Sequence, residues 1–320
     1  MTVRTLLAMP TVVALFAALP VAAAAGDGLP GEGVVADPVS APGGQVEYVA
    51  RNAKHATVLR EQALGGGRSL RQLRLRGTFT VPAVAYDGSP SGLSADGRTL
   101  VLIKPRTSWP RKSTSFVVID ARRMQVRRHV SLHGDFSFDA ISANGRIAYL
   151  IQYLSPRDRT KYAVRAYDLP ARRLFGATVV DKSEPDEDMS GIPLARVSDS
   201  QGRWAYTLYS GPKHPFVHAL DTAHRTAVCI DLDDVRSLRG AGLELNGDRL
   251  TVATDARDVA VIDTTTHSVL PQHKPKRAAA APAKDAAGTL WLLAAVPIAA
   301  FLLLAAMGRR RLAATRTGAP

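Results

Sequence analysis

A short turn returns four times along this chain, and each copy is followed by an apolar run. Ser94-Ala95-Asp96-Gly97-Arg98, Ser142-Ala143-Asn144-Gly145-Arg146, Ser200-Gln201-Gly202-Arg203 and Leu245-Asn246-Gly247-Asp248 precede the runs 100–103, 147–151, 204–209 and 250–253. Asp-Gly and Asn-Gly accept the positive φ that tight hairpins demand, so each copy reads as strand, turn, strand. A second element keeps pace with the first. Runs ending in Asp120, Asp168, Asp221 and Asp263 recur at 48, 53 and 42 residues, while the turn glycines recur at 48, 57 and 45. Each aspartate can accept hydrogen bonds from amides just ahead of it and so start another turn.

Two hairpins per period make a four-stranded antiparallel unit. Such a unit hides its apolar faces only by stacking on its neighbours, which is the logic of a β-propeller blade. An earlier, degenerate unit fits Val46 to Val49, Thr57 to Leu59 and Leu70 to Leu75. The expected fold class is all-β, a propeller of five four-stranded blades over 45–270, or six if the first region holds another, plus one C-terminal transmembrane helix.

The two ends set the expected topology. Arg4 precedes the apolar stretch 6–25, which closes on Val21-Ala22-Ala23-Ala24-Ala25, the order of a secretory signal peptide over 1–25. Residues 26–44 read as a linker. At the other end, 286–307 is 22 residues without a formal charge. At ~1.5 Å per residue a helix of that length crosses the ~30 Å hydrocarbon layer. Pro297 within it is tolerable where neighbouring groups absorb the freed carbonyl, and Trp291 suits an interfacial anchor. Arg309, Arg310, Arg311 and Arg316 follow in the tail 308–320, but Lys274, Lys276, Arg277 and Lys284 precede the helix, so charge alone does not orient it. The signal peptide does, placing the body outside and the C-terminus in the cytoplasm. No Leu-Pro-x-Thr-Gly precedes the helix, so a membrane anchor is expected in place of cell-wall linkage. The Pro-, Ala- and Lys-rich 271–285 reads as a solvated stalk.

The formal net charge of +13 invites a nucleic-acid reading that its distribution removes. Residues 26–270 hold 32 Lys+Arg against 27 Asp+Glu, and the excess lies in 51–130, with 16 basic and 4 acidic side chains. No nucleic-acid partner is expected. Cys229 is the only cysteine and lies in the apolar run Ala227-Val228-Cys229-Ile230, where a small hydrophobe suits a buried strand.

With strands A to D in each blade, the A–B and C–D turns share one face and are tight, while the long loops 105–115, 155–161, 181–193, 210–215 and 233–242 gather on the other. Long loops on a rigid scaffold are where binding is usually built. Arg106, Trp109 and Arg111, with Arg157 and Arg159, are the candidate basic and aromatic contacts. Asp186, Glu187 and Asp188 are the candidate acidic ones. Solvation of exposed loops would account for the same charges.

Linear chemical motifs fail one by one. His214 and His218 would face one ion on a helix, but Pro215 and the run 216–220 argue for a strand, where a four-residue step separates them by about 13 Å. The acids 181–188 and Asp231, Asp233 and Asp234 lack the spacing of a calcium loop. Ser94 belongs to a repeated turn and not to a nucleophile elbow, and Gly65-Gly66-Gly67-Arg68 lacks the Lys of a phosphate loop. No catalytic residue, metal or cofactor is expected.

The runs Val117-Val118-Ile119-Asp120-Ala121 and Val261-Ile262-Asp263-Thr264-Thr265 resemble those of the YVTN and WD40-like propellers of secreted bacterial proteins. Phe136 to Ile141 and Phe216 to Thr222 look like phrases of an actinobacterial family of single-pass membrane-anchored proteins. These resemblances imply architecture and supply no activity. The expected function is a binding or protein-interaction module at the cell envelope, with an envelope protein or an anionic polymer as partner. Two alternatives stay open. One is a hydrolase or lyase whose groups converge from several blades. The other is a structural or sensory subunit pairing through its membrane helix.

Overall fold

The structure, a computed structural model, describes residues 38–184 and 189–271. The expected signal peptide, most of the N-terminal linker, nearly all of the stalk, the membrane helix, the tail and the acids Asp186, Glu187 and Asp188 lie outside the described residues.

Among the described residues five antiparallel sheets follow one another. β1 (Val39–Ser40), β2 (Val46–Ala53), β3 (Ala56–Ala63) and β4 (Ser69–Arg76) form the first; β5 (Thr99–Ile103), β6 (Ser113–Asp120) and β7 (Gln125–His133) the second. The third holds β8 (Phe136–Ile141), β9 (Ile147–Tyr153), β10 (Tyr162–Asp168) and β11 (Arg173–Thr178). β12 (Pro193–Ser198), β13 (Trp204–Tyr209), β14 (Phe216–Asp221) and β15 (Thr226–Asp231) make the fourth. The fifth comprises β16 (Gly242–Asn246), β17 (Arg249–Ala253), β18 (Asp258–Asp263) and β19 (Ser268–Val269). Sheet number and strand order agree with the repeat. β1 lies within the stretch read as linker, because two residues are too few to show a strand period.

The second sheet departs from the four-stranded pattern. The free edge of β5 is bonded instead by isolated bridges, Thr80 to Ile103 and Leu93 to Leu100. Between them the chain leaves the sheet over 81–91, where Pro82 and Pro90 cannot donate to a ladder. This excursion bonds the inner strand of the fourth sheet: Tyr86 N donates to Pro193 O at 3.0 Å and Asp87 N to Leu194 O at 3.1 Å. It ties two non-adjacent sheets together across the centre.

Four apolar clusters fill four seams between successive sheets. Leu59, Leu75, Leu100 and Ile119 join the first to the second, and Phe116, Val118, Phe138 and Leu150 the second to the third. Tyr149, Val164, Tyr209 and Leu220 join the third to the fourth, and Leu208, Val217, Leu250 and Ile262 the fourth to the fifth. Alternation along each strand supplies these faces, since successive side chains point to opposite sides. No buried cluster among the described residues joins the fifth sheet to the first. The far faces of these two end sheets carry exposed Arg51, Arg60, Arg74 and Arg76, and exposed Glu244, Arg249 and Asp258. Among the described residues the seam that would close a ring is therefore unfilled.

The repeated turns do more than reverse the chain. Ser94 Oγ and Ser142 Oγ accept from the amides of Thr99 (3.0 Å) and Ile147 (2.9 Å), locking each turn to its returning strand. Gly145 has φ +66°, and a Cβ there would meet Thr99 Oγ1 at 2.3 Å; one on Gly202 would meet the Ala95 Cβ at 2.6 Å. The turns at Gly145 and Gly202 thus seat against those of earlier sheets, and Asp96 N bonds Ala143 O at 3.0 Å. At the second turn type, Asp168 Oδ1 accepts from Ala171 N at 2.8 Å, and Asp221 Oδ1 from Ala223 N at 2.9 Å and His224 N at 3.1 Å. Four residues past each aspartate the chain enters the left-handed region without glycine, at Met124, Arg172, Arg225 and His267.

Candidate functional site

The loop 104–112 meets the loop 154–161 through Trp109 and Pro156, and the loops 154–161 and 210–215 meet residues 190–192. Two of the basic candidates there are committed inward. Arg106 Nη2 donates to Asp135 Oδ1 at 2.6 Å and to Ser137 Oγ at 3.1 Å. The Arg111 amide donates to Asp135 Oδ2 at 2.9 Å, and its Nη1 to Lys104 O at 3.0 Å. Both guanidinium side chains are only 8% exposed. Around one buried carboxylate they pin the β5–β6 loop to the start of β8.

Trp109 stands between two guanidinium groups, with Arg106 Cζ and Arg159 Cζ each 5.2 Å from its ring centroid. Its indole N–H donates to Pro156 O at 3.0 Å, and Tyr153 meets it edge-on at 4.8 Å. Arg106 also covers Tyr153 at 5.1 Å. Cation–π contacts of this kind are worth about 0.5–1 kcal/mol each where exposed. They join the long loops of the second and third sheets into one surface. The structure therefore brings Arg106, Trp109, Arg111 and Arg159 together, while Arg157 is exposed at the tip of its loop.

Beside this ladder lies a pocket of about 150 Å³ lined by Tyr86, Phe138, Tyr153, Tyr162, Ile192 and Tyr209, with Arg159 among its lining residues. Tyr162 and Tyr209 stack at 5.8 Å. A larger pocket of about 350 Å³ has Met189, Phe216 and Cys229 in its wall together with Asp181, Lys213 and His214. Gly191 and Gly211, one in each lining, approach so closely that a Cβ on Gly191 would meet Gly211 Cα at 3.2 Å. Burial works against the Asp181 carboxylate, but hydrogen bonds from Ser183 and from the Cys229 amide hold its pKa below the ordinary value. Cys229 is half-buried and lines this pocket, where the apolar run had suggested a sealed strand position.

Sequence reasoning missed a polar row through the fourth sheet. Arg196, Thr207, His218 and Cys229 are register partners across β12 to β15, so their side chains share one face. The row begins at Asp139, gripped by Arg196, and ends beside Asp181. His218 is 1% exposed, and its Nε2 has no hydrogen-bond partner among the described residues. Burial pushes its pKa down to about 4; Asp139 opposes the fall, Arg196 adds to it and Asp181 opposes it. A cross-strand register at intervals of 11 residues was the available signal, but it needs the pairing to be visible. Neither Asp139 nor Arg196 lines either pocket. Among the described residues no three His, Cys, Asp or Glu are grouped to hold a metal ion.

No family model and no curated protein matches the chain. Solved structures, a β-propeller domain among them, are similar to the chain at low identity. TolB from Acinetobacter baumannii is 12% identical over 71% of this chain and 51% of that one, with a TM-score of 0.40. The Swd1 β-propeller domain from Myceliophteria thermophila is 14% identical over 72% and 66%, at 0.43. A protein from Desulfotomaculum acetoxidans is 12% identical over 73% and 68%, at 0.47. The chain spans about half the length of that TolB.

Proposed function

We propose that this chain is an extracytoplasmic binding module, a propeller-like body tethered by the helix 286–307, that docks a segment of an envelope protein on its long-loop face. The observation that carries the reading is the small tyrosine-lined pocket with apolar side chains standing exposed around it. Tyr86 is 40% and Ile192 42% exposed, and Leu154, next to Tyr153, is 59% exposed. Apolar groups gathered at a pocket mouth mark an interaction site, whereas apolar groups scattered singly do not. The pocket suits one apolar or aromatic side chain of the partner, with Arg159 for a neighbouring carbonyl or carboxylate. The adjoining larger pocket falls within the ~300–1,000 Å³ range of ligand sites. In this reading Arg106, Trp109 and Arg111 position the loop, and Arg157 and Arg159 form the polar rim. Anchorage and export rest on the two terminal sequences.

Capture from membrane extracts by the full-length chain tests this. Tyr86→Ala combined with Ile192→Asp should reduce the captured partner at least about tenfold, the size of effect expected of central interface anchors. Leu64→Asp is the control, since Leu64 is 54% exposed at a tight turn on the opposite side. Equal capture by both variants would remove the long-loop face from consideration.

A further inference from the structure

Among the described residues nothing covers the outer faces of the two end sheets, and the charges on them are opposite. On the outer face of the first sheet, Arg51 and Arg74 flank Val58, while Arg60 stands between Val49 and Gln72. Arg76 completes the set. All four arginines are exposed, and none is in an ion pair among the described residues. The one acid on that face, Glu47, is buried and accepts from Gln62 Nε2 at 2.7 Å and Gly66 N at 2.9 Å.

The outer face of the fifth sheet reverses this. Glu244 pairs across to Thr251 and Val261, Asp258 to Ala253, and Asp263 to Arg249. Three carboxylates thus face a single guanidinium. Both faces also hold half-buried apolar groups at their centres, Val49 and Val58 on one and Val261 on the other.

Stacked repeats need polar outer faces at their ends to stay soluble. Like charges at both ends would serve that purpose and would also keep copies apart. Opposite charges do the reverse, because each end attracts the other end of a neighbouring molecule.

We propose that these faces are the two halves of a head-to-tail contact between copies of this chain, the acidic face of the fifth sheet docking on the arginine face of the first. The contact continues, from one molecule to the next, the sheet-on-sheet stacking that the chain uses in its four internal seams. It is heterologous, so it propagates unless rotation closes it into a ring.

The test uses the full-length chain in mild detergent, followed by sedimentation velocity at low and high salt. One variant replaces Arg51, Arg60, Arg74 and Arg76 by Ser; another carries Glu244→Arg and Asp258→Arg. Wild type should form oligomers at low salt and fall to monomers at high salt, where exposed charges are screened. Each variant alone should be monomeric, with an unchanged far-ultraviolet β signature. Their equimolar mixture should give dimers and nothing larger, because only one native pair of faces remains in it. A wild type that is monomeric at low salt at every concentration overturns the proposal, since the faces then stay solvated or close on each other within one chain. Oligomers that survive both sets of substitutions overturn it too, by placing association elsewhere, as in the membrane helix. So does a mixture that stays monomeric.

Discussion

Arg196 on β12 holds Asp139 on β8 with both terminal nitrogens, at 2.6 and 2.8 Å from Oδ1, and donates once more to the Asp139 carbonyl at 2.8 Å. The pair bridges the third and fourth sheets near the centre, with side chains only 4% and 5% exposed. Removing one partner leaves the other charge buried without compensation, which typically costs about 3–5 kcal/mol. Asp139→Ala should therefore lower the urea midpoint sharply. Asp139→Leu combined with Arg196→Met should recover much of the loss, because two apolar groups need no pairing. A double variant as unstable as the single would show that the pair also fixes the seam geometry.

His218 gives the protein a pH dependence of definite sign. Its folded pKa of about 4 lies below the ordinary histidine value near 6.5. Above that value neither state is protonated and the residue contributes no slope. As pH falls from about 6.5 to about 4 the unfolded chain takes up a proton that the folded one refuses, so stability declines, by up to about 3 kcal/mol. Below about 4 the loss levels off. Denaturation midpoints measured over this interval should flatten in His218→Gln relative to wild type, and an unchanged slope would assign the titration to another group.

Gly145 and Gly247 separate two reasons for a turn glycine. Both have positive φ, +66° and +60°, but a Cβ on Gly145 meets Thr99 while one on Gly247 meets nothing within 4 Å. Gly247→Ala should cost about 1–2 kcal/mol, the left-handed penalty alone. Gly145→Ala adds overpacking, typically another ~1–3 kcal/mol. Equal losses in thermal or urea unfolding would mean that the turns do not bear on one another.

Arg172 is exposed and sits at φ 56° with no glycine's freedom. Arg172→Gly relieves a left-handed strain of about 1–2 kcal/mol and adds about 0.5–1 kcal/mol of backbone entropy cost. A gain of up to about 1.5 kcal/mol in unfolding free energy is expected, read as a raised unfolding midpoint. A clear loss would mean that the Arg172 side chain holds the turn.

The candidate site was legible in part. Trp109 and Arg159 stand on loops that the hairpin count assigns to one face, and the structure puts them together. Arg106 and Arg111 look the same in sequence but turn inward, because Asp135, 29 and 24 residues away, offers a buried carboxylate between them. The pocket itself comes from Tyr86, Tyr153, Tyr162 and Tyr209, residues of an irregular excursion and three different strands with no common spacing. No local pattern marks them.

What the sequence decided by itself is periodic: strands alternating in polarity, and turns whose Asp, Asn and Gly meet local backbone demands within a few residues. Those interactions are short-range, so the hairpins of the last four sheets could be read from spacing, while the first sheet, which lacks the repeated turn, showed only as a degenerate unit. Tertiary structure decided everything that depends on distant residues meeting, including the crossing of 81–91 to β12, the Asp139–Arg196 bridge, the row ending at His218 and Cys229, and the unfilled seam between the first and fifth sheets. The crossing and the bridge are contacts between segments tens of residues apart, and their energy depends on burial and pairing that exist only once the sheets have stacked.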